Sequence, residues 1–184
     1  MATRSLLVFR KPEIFGASLS EKERLEVFRE IYDKSHLLVR RTLRGMVPEN
    51  WVDDLVQEVF LRIWTKGGAF ENRSNWKTWI YRIAVNVAID ELRKRAIPTE
   101  LLSEDLPAPN SAVSDYLLSR WIQNGVLSLD EKIRPVFVLY YQQECSVEEV
   151  SSILGIPAGT VKSRLHRARD EFCKFLKRNG VSYE

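Results

Sequence analysis

Apolar side chains recur every three or four positions along much of this chain, the spacing that places them on one face of an α-helix. Between Asn50 and Lys66 the apolar stripe comprises Val52, Val56, Val59 and Ile63. A second predicted helix, at about 75–95, buries Trp76, Ile80, Ile83, Ala84 and Val87. No alternating strand pattern with hairpin turns competes with these helices. The sequence therefore predicts an all-α protein.

Capping residues indicate where several helices begin. A Ser followed three residues later by Glu forms a capping box, in which the two side chains satisfy main-chain N–H groups at the helix start. The three boxes are Ser20 with Glu23, Ser128 with Glu131, and Ser146 with Glu149. We expect Pro135 to end or kink the helix that begins after Ser128.

An acidic, proline-containing stretch divides the chain. Residues 97–116 contain three Pro and four Asp or Glu but no Lys or Arg, a composition typical of an extended linker. This linker separates two small predicted helical domains, at about 1–96 and 117–184. The 184-residue chain has a net charge of +3, so removing the linker's four negative charges leaves +7 on the two domains.

Composition narrows the class of protein. With 45% hydrophobic and 29% charged residues, the chain is not of the disordered class. No apolar run reaches the roughly 20 residues of a membrane-spanning helix, and the N-terminal apolar stretch is too short for a secretory signal. We therefore expect a cytosolic protein without membrane insertion. Cys145 and Cys173 stand outside any CxxC pair, so we expect neither a metal nor another cofactor.

The C-terminal part has the spacing of a helix-turn-helix motif. A capped helix at 146–154 is followed by a turn at 155–157 and by a second helix from Ala158 to about Leu176. The apolar stripe that packs the second helix on the first is Val161, Leu165, Ala168 and Phe172. Side chains suited to base edges project elsewhere from this helix: Lys162, Ser163, His166 and Arg167. Arg164 is suited to a phosphate contact. Together, these base-contacting and phosphate-contacting side chains predict that the helix binds duplex DNA.

The helix at 50–66 has an acidic face that contains an apolar residue. This face comprises Asp54, Gln57, Glu58 and Leu61, at positions i, i+3, i+4 and i+7. An exposed Leu within an acidic patch suggests a protein partner. A hydrolase built on Asp53, Asp54 and Glu58 is an alternative. No phosphate-binding loop, Cys/His dyad or metal-ligand motif accompanies these carboxylates, so we expect no enzyme and no catalytic residues.

The next helix has a second, polar and basic face, and a polar loop precedes it. The face comprises Arg82, Asn86, Ile89 and Arg93. The loop begins with the aromatic Phe70 and continues with Asn72, Arg73 and Ser74, which can hydrogen-bond an extruded base. Aromatic rings beside cations are typical of single-stranded DNA binding, because bases stack and phosphates require positive charge.

Three segments resemble, in order and spacing, conserved regions of a known family. They are DDLVQEVFLRIW (53–64), WKTWIYRIAVNVAIDELRKR (76–95) and SVEEVSSILGIPAGTVKSRLHRAR (146–169). The family is the group IV, or extracytoplasmic-function, sigma factors of bacterial RNA polymerase, and the resemblance covers about residues 22–96 and 117–178. It implies a region 2 helical bundle and a region 4 helix-turn-helix domain.

The resemblance also implies roles for particular residues. Docking on the clamp helices of core RNA polymerase is implied for Asp53, Asp54, Gln57, Glu58 and Leu61. Recognition and melting of the −10 promoter element is implied for Phe70, Asn72, Arg73, Ser74, Lys77, Arg82 and Asn86. Recognition of the −35 element is implied for Lys162, Ser163, Arg164, His166 and Arg167.

The implied partners are core RNA polymerase, promoter DNA and an anti-sigma factor, since such factors commonly hold this family inactive. The alternative is a helix-turn-helix transcriptional regulator that acts without being a polymerase subunit and carries an N-terminal sensing or dimerising domain.

Overall fold

The computed structural model describes residues 19–66, 75–95 and 115–179, and within these ranges it contains helices and no strand. The α-helices are α1 (Glu21–Met46), α2 (Glu49–Lys66), α3 (Trp76–Arg95), α4 (Asp115–Leu127), α5 (Arg134–Phe137), α6 (Val147–Leu154) and α7 (Ala158–Arg178). A π-helical segment, Val138–Gln142, continues directly from α5. The prediction of an all-α fold is confirmed.

Helices α1, α2 and α3 pack against one another and form the N-terminal bundle. The stripe predicted for α2 lies in its core, since Val52, Val59 and Ile63 are fully buried and Val56 is nearly so. On α3, Ile80, Ala84 and Val87 are buried as predicted, whereas Trp76 and Ile83 are only partly buried against the core.

Two of the three predicted capping boxes are present. Ser20 and Ser146 each accept a hydrogen bond from the main-chain N–H of the Glu three residues on, and that Glu accepts one in return. The predicted box at Ser128 and Glu131 is wrong. The Ser128 hydroxyl instead donates to the Gly125 oxygen over 2.8 Å, at the end of α4.

Pro135 begins a helix instead of ending one. It lies in the first turn of α5, where its missing N–H costs nothing because first-turn amides have no partner within the helix. The predicted helix from Ser128 to Pro135 is therefore replaced by a turn that joins α4 to α5.

Helices α6 and α7 form the predicted helix-turn-helix. Gly155 closes α6 in the left-handed conformation, with φ of 66°, and its N–H donates to the Ser151 oxygen over 2.9 Å. Val161, Leu165 and Ala168 are buried as predicted. The Phe172 ring lies 5.2 Å from the Phe137 ring, so the stripe extends beyond α6 onto α5.

The C-terminal helices pack directly on the N-terminal bundle. Helix α1 contacts α4 and the π-helical segment, and α3 contacts α6. Gly45 permits the close approach of α1 to the π-helical segment, because a Cβ there would lie 2.3 Å from Gln142 Oε1 and 2.8 Å from Val138 Cγ2. Buried apolar residues of both parts form one continuous core.

The predicted linker, 97–116, lies outside the described residues except for Asp115 and Tyr116, which begin α4. Among the helices that the structure describes, none combines the length and the apolar character needed to cross a membrane.

Candidate nucleic-acid and protein interfaces

The face of α7 opposite its buried stripe is exposed. Because Val161, Leu165 and Ala168 point into the core, Lys162, Ser163, His166 and Arg167 project to solvent together. The side chains of His166 and Arg167 are 73% and 63% exposed. Four of the five residues predicted to contact the −35 element therefore share one accessible surface, which we call the recognition face.

Local partners hold the recognition face only weakly. His166 Nε2 lies 3.5 Å from Asp170 Oδ2, and Arg167 Nη2 lies 3.6 Å from Glu171 Oε1. Exposed ion pairs one helical turn apart contribute only about 0.3 to 0.5 kcal/mol. DNA phosphates or base acceptors can therefore replace these carboxylates at low cost. The Ser163 hydroxyl donates to the Thr160 oxygen and can turn to a new acceptor.

Arg164 differs from the other four predicted −35 residues. It is half-buried, and its Nη1 donates to the Lys132 oxygen over 3.2 Å. Lys132 belongs to the turn between α4 and α5. The structure therefore shows Arg164 fixing α7 to this turn.

Helix α2 presents the predicted acidic face. Asp54 and Gln57 are exposed, and Leu61 is 56% exposed although it is a large apolar side chain. Glu58 is half-buried because it accepts a hydrogen bond from Arg62 Nε over 2.7 Å. Arg62 also donates to Asp90 of α3 over 3.0 Å. The hydrogen bond that Arg62 donates to Glu58 is the main reason that the pKa of Arg62 is raised.

A groove of about 400 Å³ between α2 and α3 includes part of this acidic face. Asp54, Glu58 and Asp90 line it together with Trp51, whose ring is covered by the Arg95 guanidinium at 4.0 Å. The surface therefore combines carboxylates, an aromatic ring and Arg62, a mixture suited to a protein partner.

Asp53 faces away from this groove although it follows Trp51 and Val52 and precedes Asp54 in sequence. Its carboxylate forms an ion pair with Arg40 of α1. The structure thus separates Asp53 from Asp54 and Glu58, the other two carboxylates considered for a hydrolase. Within the ranges described, no three His, Cys, Asp or Glu side chains are grouped as metal ligands would be.

The residues predicted to contact the −10 element are only partly described. Phe70, Asn72, Arg73 and Ser74 lie outside the described residues. Lys77 and Asn86 are exposed on α3. Arg82, from the same helix, donates from Nε to the Ile153 oxygen over 3.1 Å and from Nη2 to the Ser152 oxygen over 2.5 Å. A predicted DNA-contacting residue therefore binds the first helix of the helix-turn-helix.

Tyr81, next to Arg82, takes part in the same contact between α3 and the C-terminal part. It is buried near Cys145, whose thiol donates to the Gln143 oxygen. Burial is the main reason that the pKa of Tyr81 lies well above its ordinary value, and burial likewise raises the pKa of Cys145 to about 11. Both cysteines are free thiols, and Cys173 is exposed.

Several residues that join the two parts were not found from the sequence. Gly45, Tyr81 and Cys145 carry no recognisable motif, because their roles depend on partners far away along the chain. Arg134 gave a usable signal, since it is a single cation within the otherwise apolar run IRPVFVL. A cation in such a run is either buried with partners or breaks the pattern.

The fold combines a three-helix N-terminal bundle with a helix-turn-helix whose second helix exposes cations, an architecture typical of DNA-binding transcription proteins. The family model of sigma-70 region 2 matches residues 31–97, and that of sigma-70 region 4 matches residues 119–172. The chain belongs to the extracytoplasmic-function sigma factors of the sigma-70 family, which direct RNA polymerase to promoters. The region 2 match distinguishes it from a helix-turn-helix regulator with an unrelated N-terminal domain.

Individual relatives agree with this assignment. The ECF RNA polymerase sigma factor SigW of Bacillus subtilis is 38% identical over 164 residues, which cover 80% of this chain and 86% of that protein. The ECF sigma factor SigE of Mycolicibacterium smegmatis is 30% identical over 163 residues, covering 84% of this chain and 62% of the relative.

Two solved structures share the fold. One is CnrH in complex with the cytosolic domain of CnrY, with a TM-score of 0.65 and 22% identity, covering 85% of this chain and 91% of that one. The other is the sigma factor RpoE of Bartonella quintana in complex with the anti-sigma factor NepR. It has a TM-score of 0.65 and 24% identity, and the match covers 82% of this chain and 96% of that one.

Proposed function

We propose that this sigma factor uses three separate surfaces to place core RNA polymerase on a promoter. The acidic face of α2, with Asp53 beside it, docks on the polymerase. Helix α3 and the loop before it recognise and help to melt the −10 element, and the recognition face of α7 reads the −35 element. The protein carries out no catalysis of its own, so promoter opening draws on binding free energy.

One observation carries the assignment of the −35 surface: the recognition face, 162–167, lies in the first half of α7, shortly after the turn that Gly155 begins. In helix-turn-helix proteins this part of the second helix enters the major groove, where cations and hydroxyls meet base acceptors. Arg167, the most suitable base-contacting side chain, is 63% exposed, and its ion-pair partner within the described part of the chain is Glu171, at 3.6 Å.

The polymerase-binding assignment is supported by the exposure of Leu61 beside carboxylates. Leu61 is 56% exposed and lies among carboxylates on one face of α2, and a protein interface buries apolar residues of this kind at its centre within a polar rim. Asp54 and Gln57 next to it provide polar contacts that fix orientation.

For the −10 element we propose that a single melted base is captured. Each unstacked base costs a few kcal/mol, and each stack on an aromatic ring returns roughly 1 to 3 kcal/mol. Phe70 is the proposed stacking residue, Asn72, Arg73 and Ser74 are its proposed polar neighbours, and Lys77, Arg82 and Asn86 are proposed to contact the strand.

The proposed domains are residues 1–96 and 117–184, joined by the acidic linker 97–116. The proposed place of action is the cytoplasm, where polymerase and the bacterial chromosome are found. We further propose control by an anti-sigma factor, and the complex of RpoE with the anti-sigma factor NepR, which shares this fold, supports that proposal.

Transcription in vitro with core RNA polymerase, this protein and fragments of its own genome tests the function. We expect promoter-dependent transcripts that are absent when either the protein or core is omitted. Co-purification with core provides a second readout that needs no promoter. The proposal fails if no transcript depends on the protein and if the protein does not co-purify with core.

A further inference from the structure

Aromatic rings of α1 and α2 meet along the junction of the two helices and form what we call the aromatic seam: Phe28, Tyr32, Phe60 and Trp64. Phe28 lies edge-on to Trp64, with ring centroids 5.3 Å apart, and the Tyr32 ring lies 4.6 Å from the Phe60 ring. Phe60 is buried, whereas Tyr32 is 40% exposed. The seam therefore runs from the core of the N-terminal bundle to its surface.

Leu25 extends the aromatic seam along α1. It is 54% exposed and lies seven residues, or two helical turns, before Tyr32, so the two side chains project on the same side of the helix. Neither the acidic face of α2 nor the recognition face of α7 includes Leu25 or Tyr32. Contiguous exposed apolar surface of this kind is typical of an interaction site.

The chain that precedes α1 has the composition of an occupant for this site. Residues 1–18 lie outside the described residues and lead into α1 through the Ser20 cap. Their large apolar residues are Leu6, Leu7, Val8, Phe9, Ile14 and Phe15. Burial of these side chains against another apolar surface is favourable. The same segment has three cations and one carboxylate, and Glu21 and Glu26 are exposed at the start of α1. Charge and apolar character therefore both suit contact with the first half of α1.

The segment is also long enough and near enough to reach the seam. Tyr32 lies about 18 Å along α1 from Ser20. The ten residues that separate Phe9 from α1 span up to about 33 Å when extended, so residues 6–9 reach Tyr32. Pro12 and Gly16 fall within this stretch and favour the turn that a reversal of the chain requires.

The covalent connection favours this segment over a separate molecule. A short tether gives a segment an effective concentration in the millimolar range, so even weak docking is well populated. A second copy of the chain or another protein lacks this advantage.

We propose that residues 6–15 fold back along α1 and dock their apolar side chains on the aromatic seam beside Leu25 and Tyr32. The inference goes beyond the proposed function, since the family models match residues 31–97 and 119–172 and the segment belongs to neither. Leu61 and Trp64 are three residues apart on α2 and hence neighbours on its surface. The docked segment therefore lies beside the proposed polymerase-binding face and forms part of the N-terminal module.

Photo-cross-linking of the full-length chain tests which segment lies on the seam. One variant carries p-benzoylphenylalanine in place of Tyr32, and a control carries it in place of Leu37. Leu37 is 73% exposed and lies about 140° around α1 from Tyr32. Mass spectrometry of tryptic peptides from the monomeric protein maps the products. We expect at least fivefold more cross-link to residues 1–18 from position 32 than from position 37.

Three results of this experiment overturn the inference. They are equal yields at the two positions, cross-links from position 32 to a second copy in place of residues 1–18, and cross-links from position 32 to α1 and α2 alone.

Trypsin cleavage between Arg10 and Lys11 measures how often the segment is undocked, because proteolysis of a native protein follows the population of the open form. Leu25→Asp places a charge on the seam and should speed this cleavage at least fivefold. Leu37→Asp makes the same change at an exposed leucine elsewhere on α1 and should leave the rate within twofold of the parent. Equal rates in the two variants overturn the inference.

Far-ultraviolet circular dichroism checks that both aspartate variants are folded. If Leu25→Asp does not fold, the cross-linking result decides, because it needs no charge on the seam. Neither assay uses polymerase or DNA, so their failure is distinguishable from a failure of promoter-dependent transcription.

Discussion

Arg134 donates a hydrogen bond from Nη1 to the main-chain oxygen of Met46, the last residue of α1, over 3.2 Å. Its Nη2 donates to the oxygens of Leu127 and Leu129, at 2.8 and 2.9 Å. The side chain is completely buried, and burial lowers the pKa of the guanidinium to about 10, so it stays charged at neutral pH. One buried cation thus joins the ends of α1 and α4.

We expect Arg134→Met to lower the free energy of unfolding by about 2 to 4 kcal/mol. Methionine fills a similar volume but leaves three buried carbonyls without a donor, and each unsatisfied group costs about 1 kcal/mol or more. Urea unfolding measures the change. Arg178→Met, at the exposed end of α7, is the control and should remain within about 0.5 kcal/mol of the parent. Equal effects of the two changes would refute the bridging role.

Stability should fall as pH rises above 9, in part because of Cys145. Its folded pKa of about 11 exceeds the ordinary value of 9.0, so between these values the unfolded chain loses a proton that the folded chain keeps. The stabilisation is complete below pH 9 and is lost as pH rises toward 11. From pH 8 to 10 this amounts to about 1 kcal/mol.

Urea unfolding of the parent and of Cys145→Ala at pH 8, 9 and 10 checks this prediction. The substitution itself lowers stability at every pH, but it should make the decline with pH shallower by about 1 kcal/mol over this range. Parallel curves would show that the Cys145 thiol titrates alike in both states.

A change on the acidic face of α2 should impair core binding, whereas a change on the recognition face of α7 should impair promoter use. Asp54→Lys reverses a charge on the polymerase-binding face, so it should reduce co-purification with core while leaving the binding of duplex promoter fragments by the isolated protein unchanged. Arg167→Ala removes a recognition-face cation, so it should lower promoter-dependent transcription about tenfold with core binding retained, since one base or phosphate contact is worth about 1 to 3 kcal/mol.

Matched controls for these two changes lie at exposed positions away from both faces. Asp33→Lys on α1 alters the charge by the same amount as Asp54→Lys, and Arg178→Ala at the end of α7 by the same amount as Arg167→Ala. Each should leave both assays within twofold of the parent. If Asp54→Lys and Arg167→Ala lower core binding and promoter use in parallel, the division of labour between the faces is wrong.

The helices and their inward faces could be predicted because they follow from local periodicity. The stripe from Val52 to Ile63 is buried, and the left-handed Gly155 lies between the two predicted helices of the helix-turn-helix. The prediction of a helix start was wrong where two local signals competed. Ser128 resembles an N-cap, but Pro135 offers a better helix start, and the Ser128 hydroxyl bonds back to Gly125.

The packing of the two modules could not be predicted, because each contact joins residues that are far apart along the chain. Arg82 and Ile153 are separated by 71 residues, and nothing near Arg82 in the sequence marks it as the partner of a helix end. The assignment of Arg82 to DNA stays a prediction, and the structure adds hydrogen bonds from its side chain to the Ile153 and Ser152 oxygens.

The capping box at Ser146 should contribute more to the free energy of unfolding than its exposed position suggests. Helix α6 has only eight residues, so the hydrogen bond from the Glu149 N–H to Ser146 Oγ, at 3.1 Å, satisfies a large share of its free amides. We expect Ser146→Ala to lower the unfolding free energy by about 1 kcal/mol. Ser152→Ala, at an exposed position inside the same helix, is the control and should be neutral or slightly stabilising. A Ser146→Ala variant as stable as the parent would contradict the assigned cap.

Two helical glycines should respond oppositely to alanine. At Gly125 of α4 an added Cβ would lie 2.6 Å from Phe172 Cε2 and 2.9 Å from Phe175 Cδ1, so α7 would have to shift. Overpacking of this kind costs about 1 to 3 kcal/mol, more than the up to 1 kcal/mol gained from helix propensity. At Gly159 of α7 nothing lies within 4 Å, so alanine should stabilise by about 0.5 to 1 kcal/mol. Thermal unfolding of both variants measures the difference, and a stabilised Gly125→Ala protein would show that α4 and α7 do not approach as closely as the structure has them.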